Sequence, residues 1–202
     1  LSLVGTAEVP VTAYRGGEIL DEAELPIRMV ARSPCFRREA GAAGKDTRGL
    51  YRIHQFEKVE QVVLMKNDEE ASYEEHQSIL RNSEEVLQAL ELPYRVVNVC
   101  GGDLGVPHVQ KYDIETWMPS RGNYGETHSA ARFHDFQARR LNIRYRDESK
   151  KKRFCHTLNN TVVASPRILI PLLELYQQKD GSVVVPDVLR PFMMGLEVIR
   201  PS

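Results

Sequence analysis

The chain has 202 residues, 42% of them hydrophobic, which is enough to build one sizeable core. Its 27 Lys and Arg residues nearly balance its 28 Asp and Glu residues, so no overall basic field exists to capture nucleic acid non-specifically. No apolar run approaches the length of a membrane span, and we expect a soluble chain. Cys35, Cys100 and Cys155 are too widely spaced to indicate a disulfide framework or a zinc site, and they fit a reducing compartment.

The first half of the chain predicts two strands, a loop and a long helix. Apolar and β-branched residues predict strands at 27–33 and 51–65. The glycines and charged residues at 41–49 predict a mobile loop between the strands. A spaced apolar stripe predicts a helix over 67–92, with Asn67 as its N-cap. We interpret this helix as scaffold.

The second half of the chain predicts shorter elements. Strands paired by hairpins, with helices at the flanks, favour an α+β fold with an antiparallel sheet. The sequence contains no GxGxxG or P-loop string, which argues against the common parallel-sheet nucleotide folds. The predicted elements are strands at 94–99, 111–118, 125–129 and 154–158 and helices at 133–142 and 162–178.

The most informative residues lie on a predicted strand, loop and second strand at 35–60. Arg37 and Glu39 are two apart, so on an extended strand both side chains would point to one face. Acids and bases held close together are costly to bury unless a ligand or a partner uses them. The pair is therefore a candidate grip on a molecule with an anionic end. The alternative is an exposed cross-strand ion pair, worth about 0–1 kcal/mol.

Several motifs, in the right order, resemble those of the class II aminoacyl-tRNA synthetases, and within that class those of the seryl-tRNA synthetases. The resemblance covers essentially the whole chain. It implies the class II catalytic fold, an antiparallel sheet flanked by helices, with motif 2 at about 27–65 and motif 3 at about 154–178 of one catalytic core, 1–202. The matching strings are TAEVP at 6–10, FRxE at 36–39 with QFxKVE at 55–60, DFQARR at 135–140, HTLN at 156–159, PR at 166–167 and LRPF at 189–192.

The resemblance also implies that more of the protein precedes Leu1. This residue is not a start methionine. The family's helical tRNA-binding arm and its motif 1, which builds a dimer interface, find no match in the sequence. We therefore expect a catalytic-domain fragment, incomplete at its N-terminus, of an enzyme that acts as a homodimer.

By resemblance, the reaction is the ATP-dependent activation of L-serine to seryl-adenylate, followed by transfer to tRNA(Ser). Arg37 would bridge the serine carboxylate and the α-phosphate, a task suited to a guanidinium. Arg38 and Glu39 would join the ATP site, with Glu39 accepting from the adenine amino group, and Phe56 would stack on the adenine. Arg167 would hold the γ-phosphate and be catalytic together with Arg37. The alternative for Arg167 is an ordinary helix-surface arginine.

A second ATP-binding string spans Glu126, Thr127, His128 and Ser129. There the resemblance implies that Glu126 and Ser129 bind Mg²⁺ between the ATP phosphates, and hard oxygen donors suit that ion. The alternative for Glu126 is a solvated strand carboxylate. His128 replaces a family serine and Arg132 replaces a family asparagine, and a neutral imidazole is a poor magnesium ligand. Together with a further departure at Asn160 and the missing upstream half, these departures favour the rival hypothesis, a synthetase-like binding protein that has lost catalysis.

Serine selection needs donors and acceptors aimed at an ammonium group and a small hydroxyl. Buried polar groups of this kind reject alanine, because they would be left unpaired. Asn160 replaces a common family glycine and is expected to narrow the pocket. Without the resemblance, Thr6 and Glu8 would be ordinary residues at a frayed terminus. The resemblance assigns serine binding to Thr6, Ala7, Glu8, Arg37, Glu60 and Thr161.

Basic residues are concentrated at 139–153, where they could meet an RNA backbone. Asp147 and Glu148 interrupt them, so we favour a solvated hairpin tip. An RNA-binding module is the weakest functional hypothesis, because the overall charge is balanced. The segments at 166–167 and 177–183 resemble bacterial and mitochondrial members of the family, which favours the mitochondrial matrix, or else the cytoplasm, as the location.

Overall fold

The computed structural model describes residues 2–39 and 49–201, so the loop predicted at 41–49 lies outside the described residues except for Gly49. In that described part, no helix is both long enough and apolar enough to cross a membrane. In chain order the helices and strands are α1 (Glu8–Ala13), β1 (Ile19–Asp21), β2 (Ile27–Phe36), β3 (Gln55–Met65), α2 (Glu69–Ala89), β4 (Tyr94–Asn98), β5 (Gln110–Met118), β6 (Asn123–Arg132), α3 (Phe136–Leu141), β7 (Arg144–Arg146), β8 (Lys152–Phe154), β9 (His156–Ala164), α4 (Ser165–Tyr176), β10 (Val183–Val184) and β11 (Val198–Ile199). Short 3-10 helices lie at Glu22–Glu24, Gly49–Tyr51, Pro119–Arg121 and Asp187–Met193.

A six-stranded sheet in the order β2-β3-β9-β6-β5-β4 forms the centre of the fold. Each neighbouring pair of strands in it is antiparallel, which confirms the predicted α+β architecture. β1, β7 and β8 form a smaller sheet, in which β1 and β7 run parallel. β10 pairs with β11 in a further, two-stranded sheet. Most neighbours in the central sheet follow each other in the chain, whereas β9 lies between β3 and β6.

Helix α2 provides the scaffold that was expected of it. Leu80 and Leu87 on its apolar stripe belong to a core cluster that also contains Ile114 of β5, Ala130 of β6 and Ile168 of α4. Burying such a stripe contributes about 1.5–3 kcal/mol for each large apolar side chain. The helix therefore fixes the strands that carry the polar residues described below.

Several element boundaries differ from the prediction. The N-cap of α2 is Asp68 and not Asn67, and the Asp68 carboxylate accepts a hydrogen bond from the backbone N–H of Ala71 at 3.0 Å. Residues 162–164, predicted as helix, form the end of β9, and the strand predicted at 154–158 is divided between β8 and β9. Pairing with β3 on one side and β6 on the other holds β9 extended. These are long-range contacts that no local pattern contains.

Strands β6 and β9 of the central sheet each contain a β-bulge. The register of β6 against β5 shifts at Thr127, and the register of β9 against β3 shifts at Val162, so each strand carries one extra residue. β6 and β9 pair with each other only along Ala130–Arg132. Residues 126–129 of β6, just before this paired stretch, contribute to the cleft described below.

Candidate active site

A cleft of about 270 Å³ lies against one face of the central sheet, where alternate side chains of β3 and β9 line it. Its walls come from the start of α1, the segment after β2, and strands β3, β6 and β9, and the start of α4 contributes further residues. Of the residues predicted to bind serine or ATP, all but Ala7 and Arg38 line it. The lining residues are Thr6, Glu8, Arg37, Glu39, Tyr51, Arg52, Ile53, Phe56, Lys58, Glu60, Glu126, Thr127, His128, Ser129, Asn159, Thr161, Ala164, Pro166 and Arg167.

The Glu60 carboxylate is the most deeply buried charged group of the cleft, with 1% of the side chain exposed. Asn159 Nδ2 donates to Oε1 at 3.1 Å, and the Thr161 hydroxyl lies 3.4 Å from Oε2. Burial raises the pKa of Glu60; the neighbouring Lys58 opposes this shift, and Glu8 adds to it. These contacts fix the carboxylate while leaving it in an environment that favours a cationic partner.

Lys58 is a functional candidate that sequence reasoning missed. It forms an ion pair with Glu60, and 8% of its side chain is exposed. Phe56, Lys58 and Glu60 alternate along β3 and all line the cleft, as side chains on one strand face do. That alternation was visible in the sequence. Since Glu8 also lines this end, two carboxylates face one ammonium, and the end carries a formal excess of one negative charge.

The open end of the cleft carries arginines. Arg37 Nε donates to the carbonyl oxygen of Gly5 at 3.2 Å, and its guanidinium carbon lies 5.2 Å from the centre of the Phe56 ring. Glu39 forms an ion pair with Arg52. The grouping of Arg37 with Glu39 is confirmed, but strand alternation is not its cause. Both residues follow the end of β2, and Glu39 has a φ of 53°.

Arg167 stands in the first turn of α4, as predicted, and not on an outer helix surface. Its Nη1 lies 3.2 Å from Glu126 Oε2 and donates to the Glu126 carbonyl oxygen at 3.1 Å. Its guanidinium carbon is 4.7 Å from the centre of the Tyr51 ring. Tyr51 in turn donates to the same Glu126 carbonyl at 3.1 Å. Arg167 and Glu126 therefore act as one charged pair on the cleft wall.

The string at Glu126–Ser129 lies on the bulged part of β6. Thr127 points to buried partners: its Oγ1 lies 2.7 Å from Thr116 Oγ1 and 2.8 Å from His128 Nδ1. The His128 side chain is 1% exposed, and burial lowers its pKa to about 4. His128 is therefore neutral at pH 7. Its ring is a fixed part of the cleft wall.

The donors of this string fit a magnesium ion. Mg²⁺ in nucleotide sites is usually bound by one or two carboxylates together with substrate phosphates and water, and Glu126 and Ser129 offer one carboxylate and one hydroxyl to the cleft. Within 2–39 and 49–201, no cluster of three or more His, Cys, Asp or Glu side chains could hold a metal without such a substrate. His128 Nδ1 is bonded to Thr127, and a neutral imidazole is a poor ligand for Mg²⁺.

Two residues that depart from the family pattern, Arg132 and Asn160, do not line the cleft. Arg132 pairs with Glu69 of α2 at 2.7 Å and donates to Gln110 at 3.1 Å. The expectation that Asn160 narrows the pocket is wrong, because its side chain is fully buried and bonded to other elements. Its Oδ1 accepts from Gln61 at 2.8 Å and from Ser83 at 2.7 Å. Successive side chains of a strand point to opposite faces, so Asn159 and Thr161 face the cleft and Asn160 faces α2.

Two predicted ligands are not brought to the cleft. Ala7 is buried and 1% exposed, and it contributes no surface to the lining. Arg38 is exposed and is not among the residues that line the cleft. The basic stretch at 139–153 includes the β7–β8 hairpin, as favoured by the sequence. Asp147 at its tip accepts from Arg153 at 2.7 Å.

The chain was compared with known proteins at the level of families, curated relatives and solved structures. The family model described as the tRNA synthetase class II core domain (G, H, P, S and T) matches residues 1–176. The chain is 55% identical over 199 residues to a serine–tRNA ligase of Deinococcus radiodurans, covering 98% of this chain and 47% of that protein. It is 57% identical to a serine–tRNA ligase of Thermodesulfovibrio yellowstonii, of which it covers 46%.

Solved structures give the same picture. A seryl-tRNA synthetase of Pyrococcus horikoshii complexed with ATP superposes with a TM-score of 0.93 at 50% identity, over 98% of this chain and 44% of that one. A cytoplasmic serine–tRNA ligase of Naegleria fowleri in complex with AMP gives a TM-score of 0.91 at 42% identity, over 98% of this chain and 46% of the other. The chain thus spans about half the length of the relatives it matches.

Proposed function

Because this chain belongs to the class II tRNA synthetase core domain family, we propose that the protein carrying it is a serine–tRNA ligase. In this reaction an oxygen of the serine carboxylate attacks the α-phosphorus of ATP, and pyrophosphate leaves to give seryl-adenylate. The serine is then transferred to tRNA(Ser). The relatives of 55% and 57% identity support this proposal, as does the likeness to a synthetase complexed with ATP.

The opposite charges at the two ends of the cleft carry the proposal. The inner end, with Glu8 and Glu60, suits an ammonium group. The outer end, with Arg37 and Arg167, suits carboxylate and phosphate oxygens. An amino acid placed with its ammonium group inward directs its own carboxylate toward Arg37, where the α-phosphate must also lie. Positioning and electrostatic stabilisation supply most of the catalysis of phosphoryl chemistry.

Selection for serine rests on the hydroxyl-bonding groups at the inner end. Thr161 lies 3.4 Å from the Glu60 carboxylate, and both line the cleft. A serine hydroxyl reaching this pair can exchange hydrogen bonds with it, whereas an alanine methyl can form none. Thr6 lines the same end.

The ATP side of the cleft follows the same logic. Phe56 offers a face for the adenine, Glu39 offers an acceptor for its amino group once it releases Arg52, and Arg167 reaches toward the outer phosphates. Glu126 and Ser129 would hold Mg²⁺ together with the substrate. When bound, the ion neutralises charge on the phosphate oxygens. Arg167 would then exchange its contact with Glu126 for the phosphates.

The oligomeric state and the cellular location of the protein are two further parts of the proposal. We propose that it acts as a homodimer, which analytical ultracentrifugation would test. We also propose a mitochondrial or cytoplasmic location, which imaging of a tagged protein would test.

The rival hypothesis of an inactive binding protein loses much of its support. Of the departures that favoured it, Arg132 and Asn160 bind other elements away from the cleft. His128 remains, but it is neutral and held by Thr127, so it introduces no charge into the cleft.

Serine-dependent exchange of pyrophosphate into ATP tests the proposal directly. We expect exchange with serine and none with alanine, followed by charging of tRNA(Ser) by the complete protein. A purified protein that binds ATP or serine without exchange would support the binding-protein hypothesis instead.

A further inference from the structure

The Glu8 carboxylate has a partner outside the set of residues discussed so far. Gln137 Nε2 donates to Glu8 Oε1 at 2.7 Å. Gln137 lies in the first turn of α3, within the DFQARR string at 135–140, which the reaction proposed above leaves without a role. Gln137 does not line the cleft. Its side-chain amide is linked to the candidate site through Glu8.

The orientation of the Gln137 amide is fixed by Glu8 and Thr157 together. Thr157 of β9 donates its hydroxyl hydrogen to Gln137 Oε1 at 2.6 Å, and Thr157 is fully buried. An amide oxygen can only accept hydrogen bonds, and its NH₂ group can only donate. With its oxygen engaged by Thr157, the amide presents its NH₂ group to Glu8. The reverse orientation would set two acceptor oxygens, of Gln137 and Glu8, against each other.

Glu8 needs such an anchor because it shares the inner end of the cleft with Glu60. Both carboxylates line the cleft, and the charge of Glu8 adds to the rise in the pKa of Glu60 that burial causes. Glu8 itself begins α1, a helix of six residues, whose Thr12 hydroxyl bonds back to the Glu8 carbonyl oxygen at 2.7 Å. That bond holds the backbone of Glu8, whereas the bond from Gln137 holds its carboxylate.

We propose that Thr157 and Gln137 form a hydrogen-bond relay that positions the Glu8 carboxylate for the ammonium group of the amino-acid substrate. Gln137 is then a positioning residue for amino-acid binding, with no part in binding ATP. This inference rests on the function proposed above. The proposal gives the DFQARR string a role in the site, because the Gln137 amide in that string orients the Glu8 carboxylate.

Thr157→Val and Thr157→Ser are the matched pair that tests the relay, because valine keeps the shape and loses the hydroxyl while serine keeps the hydroxyl. In the complete protein, we expect Thr157→Val to raise the serine KM about three- to tenfold, the effect of one lost hydrogen bond. The ATP KM should stay within twofold, and Thr157→Ser should behave as the wild type. Gln137→Met, which removes both bonds, should raise the serine KM further. Equal rises in the serine KM and the ATP KM would overturn the relay. A serine KM that rises as much in Thr157→Ser as in Thr157→Val would also overturn it.

A spectroscopic measurement separates failure of the relay from failure of the proposed function. In protein labelled with ¹⁵N-glutamine, the side-chain amide signal of Gln137 is assigned by its loss in Gln137→Met. We expect that signal to shift both in Thr157→Val and in Glu8→Ala. If the wild-type protein shows no serine-dependent pyrophosphate exchange, the proposed function is refuted. The amide signal still tests the contacts of Gln137 with Thr157 and Glu8 in that case. A Gln137 signal unchanged by Glu8→Ala would overturn the relay whatever the activity.

Discussion

Two arginines that are adjacent in the sequence, Arg37 and Arg38, differ in their placement relative to the cleft. Arg37 lines the cleft, beside the Phe56 ring, and bonds to the Gly5 carbonyl oxygen. Arg38 is exposed and contributes nothing to the lining. The sequence resemblance assigned both to ATP, because a motif match carries no information about direction. This pair therefore offers a test in which the residue type is constant and only its placement differs.

We expect Arg37→Ala to lower the rate of serine activation about 100- to 1,000-fold. Removing one preorganised donor to a developing charge typically costs about 2.7–4 kcal/mol. Arg38→Ala is the control and should stay within about threefold of the wild type. Pyrophosphate exchange at saturating serine and ATP measures both. Equal losses in the two variants would mean that the cleft does not hold the reacting phosphate.

The motifs name residues that the structure brings to one cleft, but they carry no information on side-chain orientation. Glu60 and Arg167 were found by resemblance and line the cleft. Lys58 was missed although it lies between two predicted ligands on β3. Asn160 was assigned to the wrong side of the sheet. The strand bulge that decides which β9 side chains face the cleft depends on pairing with β3, which the sequence does not state.

At the scale of elements, Asn160 joins β9 to its neighbours through a buried polar network. Its Oδ1 accepts from Gln61 of β3 and from Ser83 of α2, and Gln61 Oε1 accepts from Asn82 at 2.6 Å. Such networks are stabilising only when each member is satisfied. The network thus connects the cleft-bearing strands to the scaffold helix.

Asn160→Ala should destabilise the fold and leave substrate binding unchanged. It removes the acceptor that Gln61 and Ser83 share. Ser83 keeps the Thr161 carbonyl and Gln61 keeps the Ile79 carbonyl, so one N–H of Gln61 is left unsatisfied, at about 1–3 kcal/mol. The control Ser83→Ala should cost less, because the remaining acceptors keep other partners. Urea unfolding measures the stability, and pyrophosphate exchange measures the serine KM. A serine KM that changes more than about twofold in Asn160→Ala would restore the view that this side chain shapes the pocket.

The β7–β8 hairpin is closed by one carboxylate at its tip. Asp147 accepts from Arg153, from the Ser149 hydroxyl and from the Lys151 backbone N–H. These bonds, with Arg153 contributing most, lower the pKa of Asp147 to about 2, below its ordinary value of 3.8. A carboxyl with a depressed pKa in the folded state contributes stability above its unfolded pKa and loses it as the pH falls toward the folded pKa.

Asp147→Asn should therefore be less stable than the wild type at pH 6, and the difference should shrink as the pH falls from about 4 to about 2. Urea midpoints at several pH values measure the difference. Glu148→Gln, at the exposed neighbouring carboxyl, should show no such pH-dependent difference. A gap between wild type and Asp147→Asn that stays constant down to pH 2 would contradict the role of the ionised carboxylate.

The elements predicted best are those that carry their own pattern. Helix α2 shows its apolar stripe, and β2 and β3 show β-branched runs. Residues 162–164 were read as helix because they are apolar and precede the stripe of α4 directly. The true boundary lies at Ser165. Only the neighbouring strands decide it, and the local sequence permits both conformations.

At the scale of the whole chain, the net charge is close to zero. We therefore expect the charged side chains of the cleft, and not an overall charge, to attract serine and ATP. The net charge is -1, yet the inner end of the cleft has one carboxylate more than ammonium groups, whereas arginines outnumber carboxylates at the open end. A zwitterion followed by a polyphosphate matches that separation. Arg37 lies where both ligands present an anionic oxygen, so each ligand helps to fill the space that the other requires.

A thermal shift with an ATP analogue that cannot be cleaved between its α- and β-phosphates tests this organisation. A ligand at about 100 times its Kd stabilises the folded state by about 2.7 kcal/mol, which corresponds to a rise in Tm of about 5–11 °C for a domain of this size. We expect the analogue alone to raise the Tm, serine to raise it further, and alanine to add nothing, because Glu60 and Thr161 would then lose a hydroxyl partner. Glu60→Gln should abolish the increment from serine while preserving the increment from the analogue. An alanine increment equal to that of serine would show that the inner end of the cleft does not recognise the hydroxyl.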